Sequence, residues 1–305
     1  MQKFLKDVLN KLPYIRGLYA REQEYRENSC FPPGHYYSPI VSVAEAKAQQ
    51  DRIWKDFRAK ELPGIDLQTE RQLELFAELQ NFSKELPFSA GAGSEFRYYF
   101  DNEMYSYTDG IVLYALLRYL QPARVIEVGS GFSSALMLDV NQLHFNNGME
   151  LHFIEPNPER LYANISESDK DSTSILESKV QDIPPEYFDR LQAGDILFID
   201  STHVAKTGSD VNYIFFEILP RLSKGVWIHF HDIFYPFEYP KGWVFGGRNW
   251  NENYILRAFL SNNADFEIRL FPHYLHQHYP EAFQEMPLAY KNKGGNIWIE
   301  KITDP

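Results

Sequence analysis

The sequence has a single cysteine, Cys30, in 305 residues. An intrachain disulfide framework and any cysteine-rich zinc site are therefore excluded. Basic charge is also short: 30 Lys and Arg stand against 42 Asp and Glu, a formal net charge of -12. Binding a nucleic-acid backbone needs a basic footprint, so no nucleic-acid partner is expected. No segment approaches the ~20 apolar residues of a transmembrane helix. Lys3, Lys6, Asp7, Lys11 and Arg16 interrupt the apolar residues of the first twenty positions, which reads unlike a secretory leader, and a cytoplasmic location is expected. A GxSxG elbow, an HExxH helix and a phosphate loop ending in Lys-Ser/Thr are all missing, which leaves hydrolase and nucleotidase chemistry without a foothold.

What remains is ample apolar material, 44% hydrophobic with 16% aromatic residues, enough for one large domain with an extension. Two textures divide the chain. Residues 1–101 read as a helical N-terminal extension. Phe4, Leu5, Val8, Leu9 and Leu12 follow helical spacing, and further helices are predicted from Val43 to about Lys60 and from Leu67 to Leu79. Between the first two of these helices, Phe31-Pro32-Pro33-Gly34-His35-Tyr36-Tyr37-Ser38-Pro39 is held extended by its prolines and turned at Gly34. It reads either as a strap or as a lid that lays His35 and Tyr36 over a substrate.

Residues 102–305 alternate helix and short apolar strand. Strands are predicted at 124–128, 151–155, 177–180, 195–199, 226–230, 266–271 and 296–301. Helices are predicted at 107–120, 133–143, 158–164, 209–222 and 253–260. This alternation predicts a Rossmann-like, doubly wound α/β domain with a mostly parallel seven-stranded sheet and an antiparallel terminal strand. Ligands in such sheets bind outside the carboxyl ends of the strands, where strand order reverses.

The segment Val125-Ile126-Glu127-Val128-Gly129-Ser130-Gly131-Phe132-Ser133-Ser134 runs from a strand through a glycine turn into a helix. Gly129 and Gly131 let backbone approach a ligand closely, though a plain tight turn has the same form. Glu127 lies inside the apolar strand, where a carboxylate is costly unless paired. It either meets a neighbouring cation and backbone amides, or receives a ligand ammonium such as that of S-adenosylmethionine. Glu155, ending Leu151-His152-Phe153-Ile154-Glu155, suits the hydroxyls of a ribose. Asp182 reads either as an acceptor for an adenine amino group or as a cap for the segment at Pro184.

These residues resemble the cofactor motifs of the class I S-adenosylmethionine-dependent methyltransferases. The resemblance implies that Glu127, Gly129, Ser130, Gly131, Ser133, Glu155, Asp182 and Asp200 surround the cofactor, with Ser133 where a third glycine often stands. Asn296 to Lys301, after Gly294-Gly295, fits that family's terminal hairpin.

Two further strand ends carry polar clusters, Asp200-Ser201-Thr202-His203 and His229-Phe230-His231-Asp232. Three chemistries fit them. Asp200, Asp232 and His231 form a set for a divalent cation. His231 or His203 alternatively serves as a metal-free base, with Asp232 beside it. In the third reading they only cap loops and satisfy backbone groups. The runs Phe198 to Val204, Lys206 to Asp210 and His229 to Phe234 resemble bacterial methyltransferases related to magnesium-dependent sugar and macrolide O-methyltransferases. That likeness implies Mg2+ on Asp200 and Asp232, but His231 stands where the first acid of the pair after the fifth strand is expected. Tyr235 and Tyr239, in an aromatic loop with Phe237, Pro240 and Trp243, read either as a wall for a sugar or small-molecule acceptor or as core packing.

The expected activity is O-methylation of a small molecule or carbohydrate. Two alternatives stand beside it: a non-catalytic cofactor-binding partner subunit and a nicotinamide-dependent oxidoreductase. A homo-oligomer is compatible with all three.

Overall fold

The computed structural model describes residues 12–93 and 95–305, except for the side chain of Asp56. The expected helix around Phe4 to Leu9 lies outside the described residues. Two compact units are present: residues up to Ile53 together with Lys241–Asn249, and Trp54–Pro240 together with Trp250–Pro305. The division thus follows Ile53 rather than Asp101. Leu62, Leu67, Phe76 and Leu79 are buried in the same core as the sheet, so the stretch after Trp54 is part of the larger unit.

The larger unit is built on seven strands in the order β3-β2-β1-β4-β5-β7-β6. They are β1 (Arg124–Val128), β2 (Glu150–Ile154), β3 (Ser174–Leu176), β4 (Ile196–Ile199), β5 (Trp227–His231), β6 (Phe266–Leu270) and β7 (Asn296–Lys301). Neighbours pair in parallel except β7, which is antiparallel to both β5 and β6. β4 and β5 are buried at every position, the signature of strands covered on both faces. The doubly wound, Rossmann-like sheet read from the sequence is the fold.

Register places the functional residues. Val128 is level with Ile154 on one side and Ile199 on the other, and Ile199 is level with Phe230. The next residues, Gly129, Glu155, Asp200 and His231, therefore share one carboxyl edge. The strand order reverses between β1 and β4, at the middle of that edge.

Some local expectations change. The third strand is Ser174–Leu176, and Val180–Asp182 is a 3-10 turn. The helix expected at 209–222 is an α-turn at Asp210–Tyr213, a π segment at Ile214–Ile218 and a 3-10 turn at Leu219–Arg221. Pro220 cannot donate to an α-helical ladder, which accounts for the tightened end. The helix expected at 43–60 ends as α-helix at Ile53. Trp54 beyond it is buried, its indole donating to the carbonyl of Tyr239 at 2.9 Å, so tertiary burial outweighs helical continuation. Pro272–His278, outside the predicted elements, is a helix whose His276 stacks on Phe283 at 3.5 Å.

In the smaller unit Pro13–Asn28 is helical, and the chain at Gly34 turns back through its amide to the Ile40 carbonyl. His35 stacks on Phe31 and on Tyr36, at 4.8 and 4.3 Å between ring centroids. Among the described residues, no helix is long and apolar enough to cross a membrane.

Candidate active site

The glycine turn after β1 is fixed by backbone contact across the switch point. The amide of Gly129 donates to Ile154 at 3.0 Å, and the amide of Asp200 donates to Val128 at 2.8 Å. Gly129 has φ +83°, and a Cβ there would lie 1.8 Å from the carbonyl oxygen of Asp200. Only glycine fits this position. Glu155 accepts hydrogen bonds from the amides of Ser130 (3.1 Å) and Asn157 (2.8 Å), which hold its carboxylate at the end of β2.

These strand ends line a two-lobed cleft in the larger unit. The first lobe, about 320 Å³, is bounded by Tyr105, Gly131, Arg160, His203, His231 and Asp232. The second, about 440 Å³, is bounded by Lys179, Val180, Gln181, Lys206 and Asp210. Gly129, Glu155 and Asp200 belong to both walls. Each lobe is of the size that takes part of a small organic ligand.

Glu127 is not on the cavity wall. It is fully buried, and its carboxylate accepts from the hydroxyls of Ser133 (2.5 Å) and Ser134. Burial pushes it up to about 7, against the pull of those serines. The cost of an acid inside the strand is thus met by the first turn of the following helix. Ser133 serves partly as that partner while also lining the first lobe.

The far side of the first lobe is organised around His203. Its Nδ1 lies 2.8 Å from Glu252 Oε2, and its Nε2 lies 3.4 Å from Asp200 Oδ1 and 3.6 Å from Asp232 Oδ2. Burial disfavours the charged ring, but Asp200 and Glu252 outweigh it and hold His203 well above its ordinary value. Carboxylates on both sides of the ring thus favour its cationic form. Asp200 feels burial upward, yet His231 and His203 leave it below the usual carboxylate range.

His231 and Asp232 meet differently. His231 Nε2 is 3.7 Å from Asp232 Oδ1. Burial opposes protonation of His231, but Asp232, Asp200 and Asp109 raise it above its ordinary value. Burial pushes Asp232 up to about 6 despite His231 and His203. Both line the first lobe, at ion-pair rather than hydrogen-bond spacing. His229 is different again: it is fully buried, stacked on Phe198 at 3.9 Å, and burial drives it well below its ordinary value.

Several expected residues lie elsewhere. Asp182 is exposed and off the cavity wall, where Val180 and Gln181 stand instead; the 3-10 turn at Val180–Asp182 aims it away. Nor does it cap the next segment, whose N-cap is Pro184. Tyr235 and Tyr239 are core side chains: the hydroxyl of Tyr235 donates to the Ala59 carbonyl, and that of Tyr239 accepts from the Asn253 amide at 3.3 Å. His35 and Tyr36 belong to the smaller unit, with Tyr36 81% exposed.

Sequence reading missed Tyr105, Asp109, Arg160 and Glu252. Asp109 is buried and accepts from the Gly295 amide at 3.1 Å and from Asn296, tying the start of helix Tyr107–Leu120 to β7. Arg160, on helix Glu159–Asn164, lies over the glycine turn and lines the first lobe. An arginine one turn beyond a strand-end acid was the available signal. Glu252 gave none, being 49 positions from the histidine it holds.

Part of the chain is similar to known proteins. Residues 126–233, spanning β1 to the end of β5, match a family described as "Methyltransferase domain". An uncharacterized protein of Archaeoglobus fulgidus is 30% identical over 178 residues, covering 57% of this chain and 80% of that protein. Among solved structures, the O-methyltransferase TomG of Streptomyces achromogenes is 15% identical, with TM-score 0.42, over 76% of this chain and 90% of that one. The Podospora anserina methyltransferase PaMTH1 is 16% identical, with TM-score 0.42, over 87% and 99%. Residues 126–233, from within β1 to just past β5, thus form a methyltransferase domain.

Proposed function

We propose that this chain transfers the methyl group of S-adenosylmethionine to a hydroxyl of a small-molecule or sugar acceptor, using the His231–Asp232 pair to take the hydroxyl proton. The observation that carries the reading is the shared wall of the cleft. Gly129, Glu155 and Asp200 stand between two lobes at the strand reversal, with a cation at one end and a proton acceptor beside it.

In this reading Glu155 accepts from the ribose hydroxyls, and Val180 and Gln181 flank the adenine in the second lobe. Arg160 pairs with the carboxylate of the amino-acid end. Its ammonium goes to Asp200, which is ionised and on the wall, rather than to Glu127, whose oxygens are already occupied by serine hydroxyls. Bound S-adenosylmethionine supplies an electrophilic methyl group on a sulfonium. The protein holds the acceptor oxygen in line with that methyl, and alignment carries most of the acceleration. As the oxygen–carbon bond forms and the carbon–sulfur bond breaks, the hydroxyl proton passes to His231–Asp232.

Calorimetry with S-adenosylhomocysteine, followed by radiolabelled methyl transfer to a panel of sugars and phenols, tests the proposal. Binding of S-adenosylhomocysteine with transfer to a hydroxyl is expected. Preference for a dinucleotide over S-adenosylhomocysteine would overturn it, and transfer confined to nitrogen acceptors would overturn the O-methylation assignment.

A further inference from the structure

The likeness to magnesium-dependent O-methyltransferases calls for a divalent cation between Asp200 and Asp232. The residues present do not fit one. Asp200 and Asp232 both face the same atom, Nε2 of His203, at 3.4 and 3.6 Å, so the ring stands where a shared cation would have to sit. His231 replaces a further acid at the end of β5, and an imidazole flanking the pair adds no negative charge. Among the described residues no group of three or more His, Cys, Asp or Glu side chains is arranged to hold a metal ion.

His203 is fixed from every side. Its Nδ1 is 2.8 Å from Glu252, which is itself buried, so both ring nitrogens face carboxylates. Nδ1 is hydrogen-bonded to Glu252 while Nε2 lies within ion-pair distance of Asp200 and Asp232, a ring set among three carboxylates that favour its cationic form. The carbonyl of His203 accepts from the amides of Asn251 (3.0 Å) and Glu252 (3.2 Å), and its ring lies 4.4 Å from that of Trp250. His203 and Asp232 both have left-handed backbone, φ +60° and +55°. Non-glycine residues in that region are uncommon, and they persist where the surroundings fix them for a purpose.

We infer that the ring of His203, anchored by Glu252, is a built-in cation that replaces a divalent metal between Asp200 and Asp232. The ring ties together the wall residue Asp200 and the reaction-site residue Asp232, which lie on separate strands. Glu252 is thereby a positioning residue, acting through His203. A metal bound by the same acids would need the ring to leave. The inference concerns ion binding by the folded chain and does not depend on which acceptor is methylated.

The test is a titration of free Mn2+, read by its electron paramagnetic resonance signal, with the wild-type protein and with His203→Ala. The wild type is expected to bind more weakly than about 1 mM, beyond the weak end of protein divalent-cation sites. His203→Ala, which opens space among three carboxylates, is expected to bind at least about tenfold more tightly. If that variant does not fold, His203→Gly, or the milder His203→Ser, opens the same space and gives the same comparison. Micromolar Mn2+ binding by the wild type, abolished by Asp232→Asn, would overturn the inference. Equal affinities of wild type and variant would overturn it too. A wild type whose methyl transfer is lost in chelator and restored by Mg2+ is a third contrary result, and it would leave the methyltransferase reading intact.

Discussion

A Cβ on Gly129 would lie 1.8 Å from the carbonyl oxygen of Asp200, whose amide is bonded to Val128. The close approach of β1 and β4 at the switch point therefore requires a bare backbone. Gly129→Ala is expected to destabilise the protein by about 3 kcal/mol or more, from overpacking and from strain at φ +83°. It should also weaken S-adenosylhomocysteine binding. Chemical denaturation and calorimetry check both, and a variant as stable as wild type would show that the strands separate freely.

The two acids near the turn should behave differently. Asp200→Asn is expected to lower S-adenosylhomocysteine affinity by about ten- to a hundredfold, the usual weight of a charge-assisted hydrogen bond. Glu127→Gln should cost less affinity, because its carboxylate faces serine hydroxyls and lies off the cavity wall. The reverse ranking in calorimetry would return the ammonium to Glu127.

Glu127 should instead register in stability. Its folded value of about 7 lies above the ordinary 4.5, so the native state binds this proton more tightly than the unfolded chain does. Its favourable contribution is complete below 4.5 and is lost as pH rises toward 7. Glu127→Gln cannot titrate. Relative to that variant, the wild type is expected to lose on the order of 3 kcal/mol across this window. Urea midpoints measured across the interval test it, and parallel curves would refute the assignment.

Methyl transfer should require the His231–Asp232 pair to be free of its acceptor proton. With Asp232 at about 6 and His231 above its ordinary value, kcat/KM is expected to climb as pH rises through 6 and beyond. His231→Gln or Asp232→Asn should lower kcat by about 10²- to 10⁴-fold, with S-adenosylhomocysteine affinity retained. Full activity in both variants would remove the pair from the chemistry. A complete absence of transfer in the wild type, with cofactor bound, would favour a partner-subunit role.

Away from the cleft, Arg97 donates to Asp169 at 2.6 and 2.8 Å and to Asp139 at 2.7 Å, and both acids are buried. Removing the shared cation strands two carboxylates. Arg97→Ala is expected to cost about 3 kcal/mol in stability, without changing cofactor affinity. Thermal unfolding with and without S-adenosylhomocysteine separates the two effects.

What the sequence revealed followed from local pattern. β1, β7 and helix Tyr107–Leu120 were predicted at their observed bounds, since apolar runs and flanking Gly and Pro mark them. The glycine turn and strand-end acids were legible for the same reason. β3 was misplaced because its three residues are only partly buried and carry little apolar signal. Side-chain destinations were least legible. Glu127 read as a ligand-facing acid because the serines that occupy it lie on the next helix. The partner of His203 could not be read because Glu252 reaches it from 49 positions away. The aromatic loop at Tyr235 and Tyr239 looks alike as a wall and as core.

The placement of β7 has a consequence for how the molecule comes into being. β6 is bonded only to β7, and β7 fills the gap beside β5. While a ribosome is still making residues 296–301, β5 offers an open hydrogen-bonding rim and β6 has no strand to join. Asn296, level with His231, is among the last sheet residues synthesised. A nascent chain can therefore assemble β1 to β5 before β7 exists, and the carboxyl edge beside β5 acquires this neighbour only when β7 has been made.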